Sequence, residues 1–97
     1  MTTPADFGVT DATDIGGGVM LSVVRQGDVE MAVNTWHECV GGYGAGMHYL
    51  DTPEVRSIWP HGPFVAVAQR EPLTLAEPVQ CEKCGLVGRI TEGRWVT

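Results

Sequence analysis

The sequence predicts a small β-rich domain, all-β or β-rich α+β, made of short antiparallel strands and closed by a zinc-knuckle-like C-terminal hairpin. Three observations point there. Short apolar, β-branched runs recur between glycine and proline turns. VEMAVNTWHE (29–38) alternates apolar and polar residues with period two. Only DTPEVRSIWP (51–60) carries the start signals of a helix. With 97 residues, 43% of them hydrophobic and 19% charged, the chain suits one domain. The expected division is a flexible acidic arm over 1–17 and a single β-rich domain over 18–97.

Residues 1–17 hold Asp6, Asp11 and Asp14 with no basic residue among them. They read as a loosely packed arm with room for one edge strand around Phe7–Val9, ended by Gly16-Gly17-Gly18. VMLSVV (19–24) and VEMAVNTWHE (29–38) flank the turn RQGD (25–28), where Gly27 is free to take positive φ. On 29–38, Val29, Met31, Val33 and Thr35 share one face, which predicts a half-buried strand. GGYGAG (41–46) reads as a flexible loop. It does not satisfy G-x-G-x-x-G, because Met47 stands where the third glycine would fall.

The helix over 51–60 has Asp51 or Thr52 to cap it, Pro53 for its first position and Glu54 to meet the dipole. Pro60 limits it to about two turns. PFVAVA (63–68) reads as a buried strand. LTL (73–75) and PVQC (78–81), interrupted by Pro72 and Pro78, read as short strands at a sheet edge. LVGRI (86–90) and RWV (94–96) form a hairpin around Thr91-Glu92-Gly93, with Gly93 left-handed in a three-residue turn. The aromatic residues are enough for one small core and are expected to pack there rather than form a binding cage.

Charge excludes some functions. Twelve Asp and Glu against six Lys and Arg give −6, which repels phosphate backbones, and the basic residues are scattered. Nucleic acid is therefore not the expected partner. No apolar run reaches the ~18 residues of a membrane span. The first residues hold neither the basic nor the apolar part of a secretory signal. Three cysteines, an odd number, suit free thiols or a metal better than a disulfide framework. Together these predict a cytoplasmic protein.

The chemistry concentrates in two places. QCEKCG (80–85) holds Cys81 and Cys84 as C-x-x-C, followed by Gly85. A knuckle folds backbone N–H groups towards its sulfurs, and a residue without Cβ permits the reversal. WHEC (36–39) offers His37 and Cys39 two positions apart, so on a strand both side chains point to one face. The best-matched metal set is Cys81, Cys84, Cys39 and His37, a Cys3His site for structural zinc, with His48 as the substitute for His37 and His61 also in reserve. Inert buried thiols are the plain alternative. A thioredoxin-like dithiol would need a helix after the second cysteine, and here Gly85, Gly88 and Gly93 follow instead. A catalytic zinc would need an open position and a base. Glu38 and Glu82 lie beside candidate ligands, but no catalytic spacing such as H-E-x-x-H is present.

The run LTLAEPVQCEKCGLVGRITEGRWV (73–96) resembles the closing segment of a family of uncharacterised small proteins from actinobacterial phages and their hosts. Leu73, Thr74, Leu75, Cys81, Cys84, Gly85, Gly88, Ile90, Gly93 and Trp95 match its pattern. Members carry a His where Val87 stands and a Ser-Pro-Ser-like stretch where Ala76, Glu77 and Pro78 stand. The resemblance implies a phage or prophage accessory protein acting inside a bacterial cell, and no activity. The expected function is a zinc-stabilised module that binds a protein partner, such as a host protein. The alternatives are a metal-dependent hydrolase-like enzyme and a virion decoration or tail component.

Overall fold

A computed structural model of the protein describes residues 3–97. After a 3-10 helix at Pro4–Phe7, the elements are β1 (Thr13–Gly16), β2 (Val19–Gln26), β3 (Val29–Cys39), β4 (Gly42–Leu50), α1 (Pro53–Ile58), β5 (Phe64–Val65), β6 (Val67–Gln69), β7 (Thr74–Leu75), β8 (Val79–Gln80), β9 (Val87–Thr91) and β10 (Arg94–Val96). They form a five-stranded sheet in the order β1-β2-β3-β4-β5, a three-stranded sheet β10-β9-β8 and the pair β6-β7. Every pairing is antiparallel except β4 with β5, which α1 joins as a short crossover. The expected β-rich architecture with one short helix is what the chain adopts. No helix among the described residues is long and apolar enough to cross a membrane.

Residues directly opposite across an antiparallel ladder share a face. Val23 stands opposite Val33, and Leu21 opposite Thr35, so these residues belong to the inner face of the large sheet. Ile15, Val19, Val33 and Leu50 meet Leu75, Val79, Ile90 and Trp95 from the smaller sheets in one buried cluster. Trp95 lies against two glycines. A Cβ at Gly17 would sit 2.6 Å from its Cδ1, and one at Gly88 would collide with its Cζ2. The matched glycine and tryptophan of the C-terminal segment are therefore one packing unit.

The helix is built as its residues dictate. Thr52 caps it, its side chain accepting from Val55 N–H at 3.3 Å, and Val55 is fully buried. Pro53 opens the first turn.

Several expectations differ from the fold. PFVAVA is not one buried strand: Phe64–Val65 joins β4, Val67–Gln69 pairs with β7, and of these residues only Val65 is buried, because the chain leaves one sheet for the other at Ala66. Part of the supposed arm over 1–17 is structured; residues 1 and 2 of it lie outside the described residues. β1 pairs with β2, and Ile15 is 2% exposed. Phe7 ends the 3-10 helix instead of starting a strand. Two of the acidic residues serve the local backbone: Thr3 N–H donates to Asp6 Oδ2 at 2.7 Å, and Gly16 N–H to Asp14 Oδ1 at 2.9 Å. The glycine triplet makes the β1–β2 hairpin turn. From Gly42 onward GGYGAG is strand rather than loop, because β3 offers β4 an unbroken ladder from Ala32 to Cys39. β3 is buried on both faces over Met31–Val33 and Thr35–His37; on the outer face Phe7 covers Trp36. The last turn has two central residues, Glu92 and Gly93, both at positive φ, with Thr91 paired to Arg94.

The clash at Trp95 makes a direct test. Gly88→Ala is expected to lower stability by about 2–3 kcal/mol through overpacking, read as a fall in the denaturant midpoint at unchanged slope.

Candidate metal centre

The end of β3 supplies half of the site. His37 and Cys39 point to the inner face, opposite Gly44 and Gly42 of β4. Glu38 between them points outward, opposite Tyr43, and is exposed. The other half is the loop after β8. Cys81 N–H donates to Leu86 O at 2.8 Å, and Gly85 N–H to Cys81 O at 2.9 Å. Gly85 closes the reversal at φ +77°, where a side chain would be strained.

The structure brings His37, Cys39, Cys81 and Cys84 together, with one ligand atom from each lying within 4.8 Å of the others. Cys39 Sγ is 3.5 Å from Cys81 Sγ, and Cys84 Sγ is 3.5 Å from His37 Nε2. A tetrahedral ion with metal–sulfur bonds of about 2.3 Å needs ligand atoms about 3.7 Å apart. The spacing therefore suits a small tetrahedral cation, and the Cys3His cluster can hold a metal ion. His37 is 5% exposed, and its Nδ1 lies 3.3 Å from Thr35 O. When Nδ1 carries the proton and donates there, the lone pair of Nε2 is aimed at the cluster. All three cysteines are free thiols.

The thiols are not equivalent. The N–H groups of Cys84 and Lys83 point at the Cys81 sulfur and lower its pKa to about 6. Cys39 is pushed up to about 11, by burial first and then by the neighbouring Cys81 and Cys84 thiols. Without a cation, negative charge settles on Cys81 while Cys39 keeps its proton. A bound divalent ion would remove that difference by holding both sulfurs as thiolates.

The two reserve histidines stand outside this quartet. His48 Nε2 is 3.2 Å from Thr35 Oγ1, and burial lowers its pKa. His61 packs edge-on to Trp59 with ring centroids 4.9 Å apart. The aromatics do not all enter the core. Trp36 is buried with Nε1–H donating to Ser22 Oγ at 2.9 Å, but Phe7 and Tyr43 stack beside it on the outer face. Trp59, 39% exposed, stacks on Tyr49.

Beside the cluster lies a cleft of about 380 Å³, reached by His37, Cys39, His48, Cys81 and Lys83. It exists because Gly44 and Gly46 put no side chain on the inner face of β4. Reading GGYGAG as a loop hides this. The available signal was that Gly42, Gly44 and Gly46 recur at every second position, which on a strand is one bare face.

Ligand and bystander histidines are separable by titration with Co²⁺ as a spectroscopic probe. His37→Ala is expected to weaken binding at least about a hundredfold, whereas His48→Ala keeps the wild-type absorption bands.

No protein-family model matches the chain, and no curated protein or solved structure is significantly similar to it.

Proposed function

We propose that the protein is a zinc-stabilised β domain that works by binding another protein, and that it is a phage accessory protein of the bacterial cytoplasm. The observation that carries the zinc reading is the quartet itself. Three sulfurs and one imidazole nitrogen lie within 4.8 Å of one another, with two of the separations at 3.5 Å, near the spacing of tetrahedral ligands. Three thiolates favour a soft or borderline cation, and the metal that most often takes three cysteines and a histidine in a structural site is zinc. The phage assignment rests on the resemblance of residues 73–96.

Four protein ligands complete the shell of a tetrahedral ion and leave no position for substrate, which favours a staple over a catalyst. Glu38, the acidic residue closest in sequence to His37 and Cys39, points to the opposite face of β3 and cannot act as their base. A reducing compartment suits the role, since the thiols must stay free to ligate.

Protein purified without chelator is expected to hold about one equivalent of zinc, lost in Cys39→Ser and Cys81→Ser. Stripping the metal is expected to cost about 3 kcal/mol, a fall in Tm of roughly 12–24 °C for a domain of this size. Below a tenth of an equivalent of zinc, with unchanged stability in chelator, the staple is refuted.

Binding should also release protons. Zinc must displace the proton that Cys39 holds up to about 11, whereas Cys81, lowered to about 6, is already largely ionised at neutral pH. The holo form thus binds fewer protons than the apo form, so affinity rises with pH. At least about a tenfold gain per pH unit is expected between pH 7 and 9, with a steeper dependence below pH 6 as Cys81 protonates. Competition with a chelator of known affinity measures the slope.

A further inference from the structure

Two strand edges confront each other across the cleft. β4 runs from Gly42 to Leu50, yet β5 pairs with it only at Tyr49 and Leu50. Asp51 N–H donates to Val65 O. Strand alternation then aims the N–H and C=O groups of Tyr49, Met47, Ala45 and Tyr43 towards that same edge. Among the described residues, no strand or backbone group takes up those of Met47, Ala45 or Tyr43 there. Pro63 explains the gap. The parallel register extended one step back puts it opposite His48, and a proline has no N–H to continue the ladder.

The facing wall is also an edge. β8 is the outer strand of its sheet, and Cys81 N–H is engaged by Leu86 O. Alternation therefore turns the backbone N–H and C=O of Gln80 away from β9. Gln80 lines the 380 Å³ cleft and a contiguous hollow of about 190 Å³, which also share Met47, His48 and Pro63. Between the two edges the inner face of β4 is bare: a Cβ at Gly44 would meet nothing within 4 Å.

We infer that this cleft binds one extended segment of a partner protein, added as a strand along β4 from Tyr43 to Met47, with Gln80 meeting the segment's far edge. Main-chain hydrogen bonds to an open edge supply affinity without requiring one sequence, while side chains on one face enter the space left by Gly44 and Gly46. Glu82 lines the cleft and Glu77 the adjoining hollow, against the single cation Lys83, and the whole chain carries −6, so the segment is a basic one, bearing Lys or Arg. The edge is recessed behind the knuckle, which admits a single flexible strand and hinders the sheet-to-sheet pairing that an open edge invites. The inference rests on the reading of the protein as a zinc-stabilised interaction module, because the quartet is what holds the knuckle wall at its distance from β4.

The test uses the full zinc-treated chain and a random heptapeptide library displayed on phage, followed by synthesis of the enriched peptide. Expected are backbone amide shifts concentrated at Tyr43, Ala45, Met47 and Gln80, and enrichment of Lys or Arg. Gly44→Val fills the cleft, and Ala45→Pro removes an outward N–H without touching the β3 ladder. Each is expected to keep a dispersed amide spectrum and wild-type zinc content while weakening the peptide at least about tenfold. No enrichment, equal binding by both variants, or shifts confined to the outer face at Tyr49 and Trp59 overturns the inference. So does peptide-independent dimerisation abolished by the same variants, which would give the edge to a second copy. Zinc content on the same samples separates the two readings. Zinc without peptide binding refutes the added strand alone; peptide at β4 without zinc refutes the staple alone.

Discussion

Four ligand atoms at one point constrain this molecule more tightly than any other contact. Cys39 and Cys81 are separated by 42 residues, and His37 and Cys84 by 47, yet their atoms meet at 3.5 Å. Such a meeting fixes the end of β3, the central strand of the large sheet, against the turn that leads from β8 into β9. It also fixes what surrounds it. Gly85 must reverse the knuckle, and Thr35 O must receive the His37 ring so that Nε2 faces inward. Closing a long loop in this way withdraws conformational freedom from the unfolded chain, and the benefit grows with the separation.

A domain of this size gains from such a tie. Its exposed surface is 5872 Å², against roughly 5,400 Å² for a typical monomer of this mass. Three small sheets share one modest core, and several large apolar side chains, among them Phe7, Met47 and Trp59, stay partly in water. The ion pairs do not compensate. Arg25–Glu30, Arg56–Asp51 and Arg70–Glu30 all lie at the surface, where screening and side-chain entropy leave little net gain. Cohesion between the sheets therefore rests on the shared core, with Trp95 packed on Gly17 of the large sheet, and on the cysteine–histidine cluster.

Local rules held wherever the nearest neighbours in sequence set the outcome. Thr52 and Pro53 started the helix, Gly27 turned the first long hairpin, and the period of 29–38 made a strand. The same period placed His37 and Cys39 on one face and Glu38 on the other. Local rules failed where a distant partner decided. GGYGAG offers only Tyr43 as a strand former, but β3 supplies a ladder that outweighs the entropy cost of its glycines. The acidic N-terminal stretch looked too polar to pack, yet Ile15 alone is enough to anchor an edge strand when β2 is there to receive it. The spacing to Cys39 favoured His37 over His48; both lie on the inner face, and the path of the knuckle brings Cys84 to His37.

The sequence by itself determined the β-rich class, the position of the single helix, the knuckle at Cys81–Cys84 and the common face of His37 and Cys39. Each follows from backbone preferences that act over a few residues. Only the tertiary structure decided that the two halves meet, that the glycines of β4 leave a cleft beside them, and that Pro63 leaves the edge of that strand unpaired. Those features depend on register between segments far apart in the chain, and register is set by the packing of the whole inner face rather than by any stretch alone.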